Sequence, residues 1–144
     1  MTKKMTQYSL HDKADLARVR NMVRDDAEGA GGGPTAILDC LVSVTEACTN
    51  ALLYGRDLSN DRDPEVTWEM DGRAARFVVR DFAGRPPPPE KWWMERTARV
   101  TTEAKDMTVR HGGFGLNLMR SLMDEVDIHS GSEGTTVVLV KHWT

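Results

Sequence analysis

This chain of 144 residues has little cysteine and no excess of positive charge. Its two cysteines, Cys40 and Cys48, lie eight residues apart on one predicted helix, so their Cα atoms are separated by about 12 Å and cannot be joined by a disulfide. The 19 Lys and Arg residues are interspersed among 22 Asp and Glu residues, giving a formal net charge of -3, which disfavours nucleic-acid binding. No hydrophobic run approaches the length of a membrane span. We therefore expect a reduced, cytoplasmic protein with no direct nucleic-acid or membrane partner.

The length of the chain predicts one domain, residues 1–144, that can bury a core without disulfides or structural metals. Its histidines and cysteines show no spacing typical of metal ligands. Any function must therefore be sought in other polar residues and in the glycine-rich segments.

The longest helical pattern is Leu38–Tyr54, with the sequence LDCLVSVTEACTNALLY. At 100° per residue, its larger apolar side chains fill one broad arc that should face the core. These are Leu38, Leu41, Val42, Val44, Cys48, Leu52 and Leu53. Glu46 and Asn50 lie one turn apart just past one edge of that arc, together with Asp39 and Ser43. A carboxylate and an amide at the boundary of a core face are well placed to line a cleft.

The other periodic segments predict short strands and one further helix around this one. Gly29–Gly33 should end the first helix, and Pro34 suits the first turn of the next. In order, we expect an edge strand at Thr6–Leu10, a helix that buries Leu16, Val19, Val23 and Ala27, a hairpin of Val66–Met70 and Ala75–Arg80, a short helix at Lys91–Arg99 within a long loop, and strands at Val126–Ser130 and Thr135–Val140.

A glycine-rich loop, His111–Gly115, opens a helix whose apolar residues recur at helical spacing from Leu116 to Val126. Exposed backbone N–H groups and the positive end of a helix dipole both favour a bound anion. The loop is therefore a candidate phosphate site.

Four features now stand in a fixed order: a Glu-x-x-x-Asn helix, an Asp that ends a strand, a glycine loop that opens a helix, and Gly134-Thr135-Thr136 at the last strand. In this order they resemble the Bergerat-type ATP-binding domain of histidine kinases, gyrase and mismatch-repair ATPases. The likeness is greatest to the stand-alone serine/threonine kinases that act as bacterial anti-sigma factors. It covers roughly residues 8–142 and implies an α+β fold, a two-layer α/β sandwich whose mixed, mostly antiparallel sheet is covered on one face by helices.

The resemblance implies a role for each matching residue, with ATP and Mg²⁺ as cofactors. Glu46 would be the general base, Asn50 would hold the magnesium ion, and Asp81 would accept a hydrogen bond from the adenine amino group. Segment 85–115 would be a lid over the nucleotide. The remaining nucleotide contacts would come from Gly84 and Leu116, from Gly112, Gly113 and Gly115 around the phosphates, and from Thr135 and Thr136 beside the adenine.

The same resemblance implies protein partners. The protein would phosphorylate a STAS-type anti-anti-sigma protein, sequester a sigma factor and form a homodimer. One departure from the family pattern supports an alternative, because Ala83 and Arg85 occupy positions that are usually glycine. In that alternative the protein is a non-catalytic or weakly ATP-binding module that retains the partner surfaces. A fragment of a gyrase-type ATPase is a third, less favoured reading.

Overall fold

Five strands and three helices make up the parts of the chain that the computed structural model describes, which are residues 4–55, 62–83 and 113–143. The expected helix Lys91–Arg99, nearly all of the expected lid at 85–115, Gly84 and Gly112 lie outside these residues. The elements are β1 (Lys4–Ser9), α1 (Ala14–Gly29), α2 (Pro34–Tyr54), β2 (Glu65–Met70), β3 (Ala74–Arg80), α3 (Gly113–Leu122), β4 (Glu125–Gly131) and β5 (Gly134–His142).

The strands form one sheet in the order β1-β2-β3-β5-β4, and each of the four pairings in the described residues is antiparallel. Helix α2 packs against β3 and β5, with α1 and α3 as its neighbours in the helical layer. The expected two-layer α/β sandwich with helices on one face is confirmed. The predicted edge strand, hairpin and final two strands are also present, with ends shifted by up to two residues.

Period-two alternation divides the sheet into a helix-covered face and an open face. Buried side chains on the covered face meet buried side chains of α1, α2 and α3 in one continuous core. Its largest fully buried members are Trp68, Phe77, Leu10, Leu116, Met119, Leu139, Val19, Val23, Val44, Val66 and Val79. The indole N–H of Trp68 donates to Asp26 Oδ2 of α1 at 2.7 Å, which satisfies the one polar atom of the largest core residue.

The burial of α2 differs from the expected arc. Leu38 and Leu53 are 59% and 45% exposed, whereas Ser43 and Asn50, expected beyond the edge of the arc, are buried. The reason is that α2 contacts the sheet and both neighbouring helices, and its small residue Ala47 belongs to the buried face. Size alone was therefore a poor guide to which side of this helix is covered.

Helix α2 also overturns one expectation about the length of hydrophobic runs. Its residues Pro34–Leu53 are long and apolar enough to cross a membrane by length and composition. Half of this stretch is buried inside the molecule. The apolar run is therefore accounted for by packing against the sheet and the two flanking helices.

Asp15 fixes the turn between β1 and α1 from a buried position. Its Oδ2 accepts hydrogen bonds from the backbone amides of His11 at 2.7 Å and Asp12 at 3.2 Å, and its Oδ1 accepts one from the Tyr8 hydroxyl at 2.9 Å. The His11 amide bond outweighs the effect of burial and lowers the pKa of the Asp15 carboxyl. Folding therefore favours the ionised form of the Asp15 carboxyl.

We predict that Asp15→Asn lowers the free energy of unfolding at pH 7 by about 1–3 kcal/mol, because an amide cannot replace a carboxylate that accepts four hydrogen bonds, from Tyr8, Arg18 and the amides of His11 and Asp12. A carboxyl whose pKa is lowered by folding stabilises above its unfolded pKa, near about pH 4, and loses that contribution as pH falls through the folded pKa. Urea unfolding from pH 7 to pH 2 should show a weaker acid dependence in the variant. Equal curves for the two proteins would contradict the assignment.

Candidate functional site

The candidate site is built around Asp81, which directly follows β3 and is 8% exposed. Its Oδ1 accepts hydrogen bonds from the amides of Ala83 at 3.2 Å and Thr135 at 3.1 Å, and its own amide donates to the Thr135 carbonyl at 2.9 Å. Burial raises the pKa of the Asp81 carboxyl, and the two amide hydrogen bonds oppose that rise. The carboxyl is therefore locked to the ends of β3 and β5.

Two glycines approach Asp81 closely, one beside its side chain and the other beside its backbone carbonyl. A Cβ on Gly55 would lie 2.5 Å from the Asp81 Cβ and 2.6 Å from its Oδ2. A Cβ on Gly134, which has φ of 127°, would lie 2.0 Å from the Asp81 carbonyl oxygen. Only glycine allows the end of α2 and the start of β5 to approach this closely.

Neither glycine was among the expected site residues, although each carried a local signal. Gly55 directly follows the central helix, where glycine is a common terminating residue, and its amide donates to the Ala51 carbonyl at 2.9 Å. Gly134 was noted at the start of the last strand. Their shared contact with Asp81 arises from tertiary packing, which no spacing in the sequence reveals.

Helix α2 brings Asn50 and Glu46 toward the same end of the sheet. Gly55, which touches Asp81, follows Asn50 by five residues, or roughly 7.5 Å along the helix axis. Asn50 is 8% exposed, and Glu46, one turn earlier, is half-buried. Asp39, expected in the same cluster, lies near the other end of α2.

Asp39 belongs to a different contact. Its Oδ2 lies 2.9 Å from Lys141 Nζ, and the same ammonium donates to the Leu122 carbonyl at 2.7 Å. Because Leu122 is the last residue of α3, Lys141 ties the C-terminal end of that helix to α2 and β5. A cation bound to the last carbonyls of a helix also complements the helix dipole.

The structure brings some of the other expected site residues to Asp81 and not others. Thr135 is buried beside it, whereas alternation along β5 directs the Thr136 side chain to the open face of the sheet. Gly113 and Gly115 form the first turn of α3, and Leu116 is a fully buried core residue. Within the described ranges there is no group of three or more His, Cys, Asp or Glu residues that could hold a metal ion.

A model of the histidine kinase-like ATPase domain matches residues 10–141, which span almost the whole chain and include all of these site residues. The protein belongs to the histidine kinase-like ATPase family. The fold, with α2 and α3 over an antiparallel sheet and an acidic residue at the end of β3, agrees with this assignment.

Two proteins of similar sequence have names that state a function. The chain is 31% identical over 102 residues to an anti-sigma F factor of Anoxybacillus flavithermus, covering 70% of this chain and 66% of that protein. It is 33% identical over 108 residues to the serine-protein kinase RsbW of Bacillus pumilus, covering 73% and 64%. The chain thus spans slightly less than two thirds of the length of these relatives.

Solved structures show the same fold. The RsbU and RsbW domains of a Mycobacterium tuberculosis protein superpose with a TM-score of 0.67 at 19% identity, covering 96% of this chain and 32% of that one. The SiaB–SiaC complex of Pseudomonas aeruginosa gives a TM-score of 0.57 at 12% identity, covering 96% and 88%. At these identities the similarity concerns the fold alone.

We predict that Gly55→Ala lowers the free energy of unfolding by about 1–3 kcal/mol, because the new methyl group must displace Asp81 or the end of α2. Gly72→Ala is the matched control, since a Cβ there meets nothing within 4 Å. Urea unfolding measures both. If Gly55→Ala leaves the free energy of unfolding unchanged, the contact with Asp81 adjusts to the new methyl group without loss of stability, which would contradict the prediction.

Proposed function

We propose that this protein is an ATP-dependent serine/threonine kinase and anti-sigma factor, which phosphorylates a STAS-type anti-anti-sigma partner and sequesters a sigma factor. The observation that carries the proposal is the buried Asp81 carboxylate, which accepts hydrogen bonds from two amides and lies against Gly55. The names of the anti-sigma F and RsbW relatives support the reaction and the partners. Homodimerisation and a cytoplasmic location are part of the same proposal.

The donor set at Asp81 fits an adenine base. An ionised carboxylate only accepts hydrogen bonds, and the adenine amino group only needs an acceptor. Oδ1 is already engaged by Ala83 and Thr135, while none of the described residues donates to Oδ2. Oδ2 is therefore the acceptor we assign to the nucleotide.

Asn50 and Glu46 fit the phosphate end of the same nucleotide. Bound ATP with its magnesium ion would supply the transferable phosphoryl group. Asn50 offers a neutral amide oxygen, a ligand type suited to a hard cation that is shared with phosphate oxygens. Glu46, one turn away and half-buried, would accept the proton of the attacking serine or threonine hydroxyl. The N-terminus of α3 would face the phosphates with its backbone N–H groups.

A second candidate function is a partner-binding module with weak or no use of ATP. The observation in its favour is Ala83, a 4% exposed residue whose amide bonds to Asp81 at a position where the family usually has glycine. An additional methyl group beside the base would weaken nucleotide binding without altering the partner surfaces.

We predict that Asp81→Asn weakens ATP binding at least tenfold, corresponding to about 1.4 kcal/mol or more, because the side-chain amide nitrogen would meet the adenine amino group as a second donor. Titration calorimetry with Mg-ATP measures the affinity, and thermal unfolding confirms that the variant is folded. Asp127→Asn, an exposed change on β4, should bind ATP as the natural protein does. Equal affinities for all three proteins would overturn the adenine assignment.

We predict that Glu46→Gln keeps ATP binding but slows phosphate transfer to a STAS-type partner by about 10²- to 10⁴-fold, since it removes the general base. Transfer of radiolabelled phosphate measures the rate, with the exposed Glu28→Gln on α1 as control. If the protein is instead a partner-binding module, the natural protein should transfer no phosphate to the partner and should bind a sigma factor equally well with and without nucleotide.

A further inference from the structure

We propose that Lys141 is a positioning residue of the nucleotide site: together with Asp39 it fixes the place of α3 and thereby sets the affinity for the phosphates of ATP. The inference rests on the proposed function, because it takes the N-terminus of α3 to face those phosphates. Lys141 contacts the opposite end of α3 and would not touch the nucleotide. Its effect would reach the site through the position of the helix.

Lys141 interrupts the apolar face of β5. Alternation places Thr135, Val137 and Leu139 on the face covered by the helices, and all three are buried. Lys141 is the next residue in that series, and its side chain is only 16% exposed. A cation in such a place costs free energy unless its charge is paired. A specific contact therefore accounts for lysine at this position.

The contact joins three elements at one ammonium group. Lys141 Nζ lies 2.9 Å from Asp39 Oδ2 of α2, a carboxylate that is 18% exposed, and donates to the Leu122 carbonyl of α3 at 2.7 Å. Asp124 is separately bonded to β5, since its amide donates to the Val140 carbonyl at 2.9 Å. That bond holds the chain after the helix, whereas Lys141 holds the helix itself and joins it to α2.

This ion pair is better suited to specifying a position than to adding stability. The cost of desolvating two partly buried charges offsets much of their attraction. The geometry is nevertheless demanding, because one nitrogen must reach two oxygens on different helices. The buried apolar contacts of this region come from Leu116, Met119 and Met123, and methionine side chains adapt to several arrangements. Lys141 therefore selects one of the positions that the apolar contacts allow.

The helix carries that position to the phosphate end of the site. Gly113–Leu122 has 10 residues, so α3 is roughly 15 Å long and moves as one piece. A shift at Leu122 would displace the backbone N–H groups at the other end, and hydrogen bonds weaken steeply with poor geometry. The bonds of Asp81 to Ala83 and Thr135 do not involve α3. Loss of Lys141 should therefore weaken contacts to the phosphates and leave those to adenine.

The first test replaces both charges, with Lys141→Met and Asp39→Leu in one variant. No charge is left unpaired, so the urea midpoint should stay close to that of the natural protein. We expect titration calorimetry to show ATP binding about tenfold weaker. Adenosine affinity should be unchanged when it is measured from the NMR shifts of the Ala83 and Thr135 amides.

Two further variants separate position from stability. Lys141→Arg keeps a cation that can donate to both oxygens, so it should bind ATP within about threefold of the natural protein. Asp15→Asn is the matched control, because it should lower stability without changing any contact of α3. We expect its ATP affinity to equal that of the natural protein.

The second test needs no nucleotide. Spin labels are attached at Asn117→Cys on α3 and Asp25→Cys on α1, which are both exposed positions. Cys40 and Cys48 should stay unlabelled, because both are buried and burial raises the pKa of each thiol to about 12. Double electron–electron resonance should show a displaced or broader distance distribution when Lys141 and Asp39 are replaced. Lys141→Arg should give the natural distribution.

Three results would overturn the inference. They are natural ATP affinity in the variant without both charges, an unchanged distance distribution in that variant, and a loss of ATP affinity in Asp15→Asn as large as the loss on replacing Lys141 and Asp39. The last result would mean that affinity merely follows stability. A natural protein that binds no ATP would instead overturn the proposed kinase function, and the label distances would still decide whether Lys141 fixes α3.

Discussion

The contact of Asp81 with Gly55 joins the sheet to the helical layer at the end where the chemistry is assigned, and Gly134 lets β5 approach the Asp81 backbone. The carboxylate is bonded to the backbone of β5, and its flank is covered by the glycine that ends α2. A buried carboxylate that lost these partners would carry a large desolvation cost. The position of α2, and with it the positions of Asn50 and Glu46, is therefore set by the close approach of three backbone segments.

The other end of the helical layer is anchored by a different interaction. Lys141 joins the last carbonyl of α3 to Asp39 at the beginning of α2. Helix α2 is thus held to the sheet at both ends, by glycine contacts at one end and by an ion pair at the other. Through Lys141, α3 is also fixed relative to α2. Such positioning suits the proposed phosphoryl transfer, because catalysis of that reaction depends on orientation and charge.

Local patterns predicted the fold well. The hairpin of β2 and β3 and the helical spacing of Val19, Val23 and Ala27 correspond to observed elements, because each reflects a local preference or one face of an element. The exposed face of α2 was predicted wrongly. Which side of this helix is covered depends on the positions of the sheet, α1 and α3, and not on the size of its side chains. The roles of Gly55 and Lys141 depend on contacts between residues far apart in sequence. No local pattern contains them.

Adjacent residues of the sheet serve its two faces. Arg80 and Thr136 lie on the open face of the sheet, while their neighbours Asp81 and Thr135 are buried on the face covered by the helices. A shift of the β3–β5 pairing by a single residue would exchange the two sets, placing an arginine against the core and a carboxylate toward solvent. The alignment of these two strands is thus constrained from both faces at once. An insertion or deletion in either strand would damage both surfaces together, whereas substitutions can alter one surface alone.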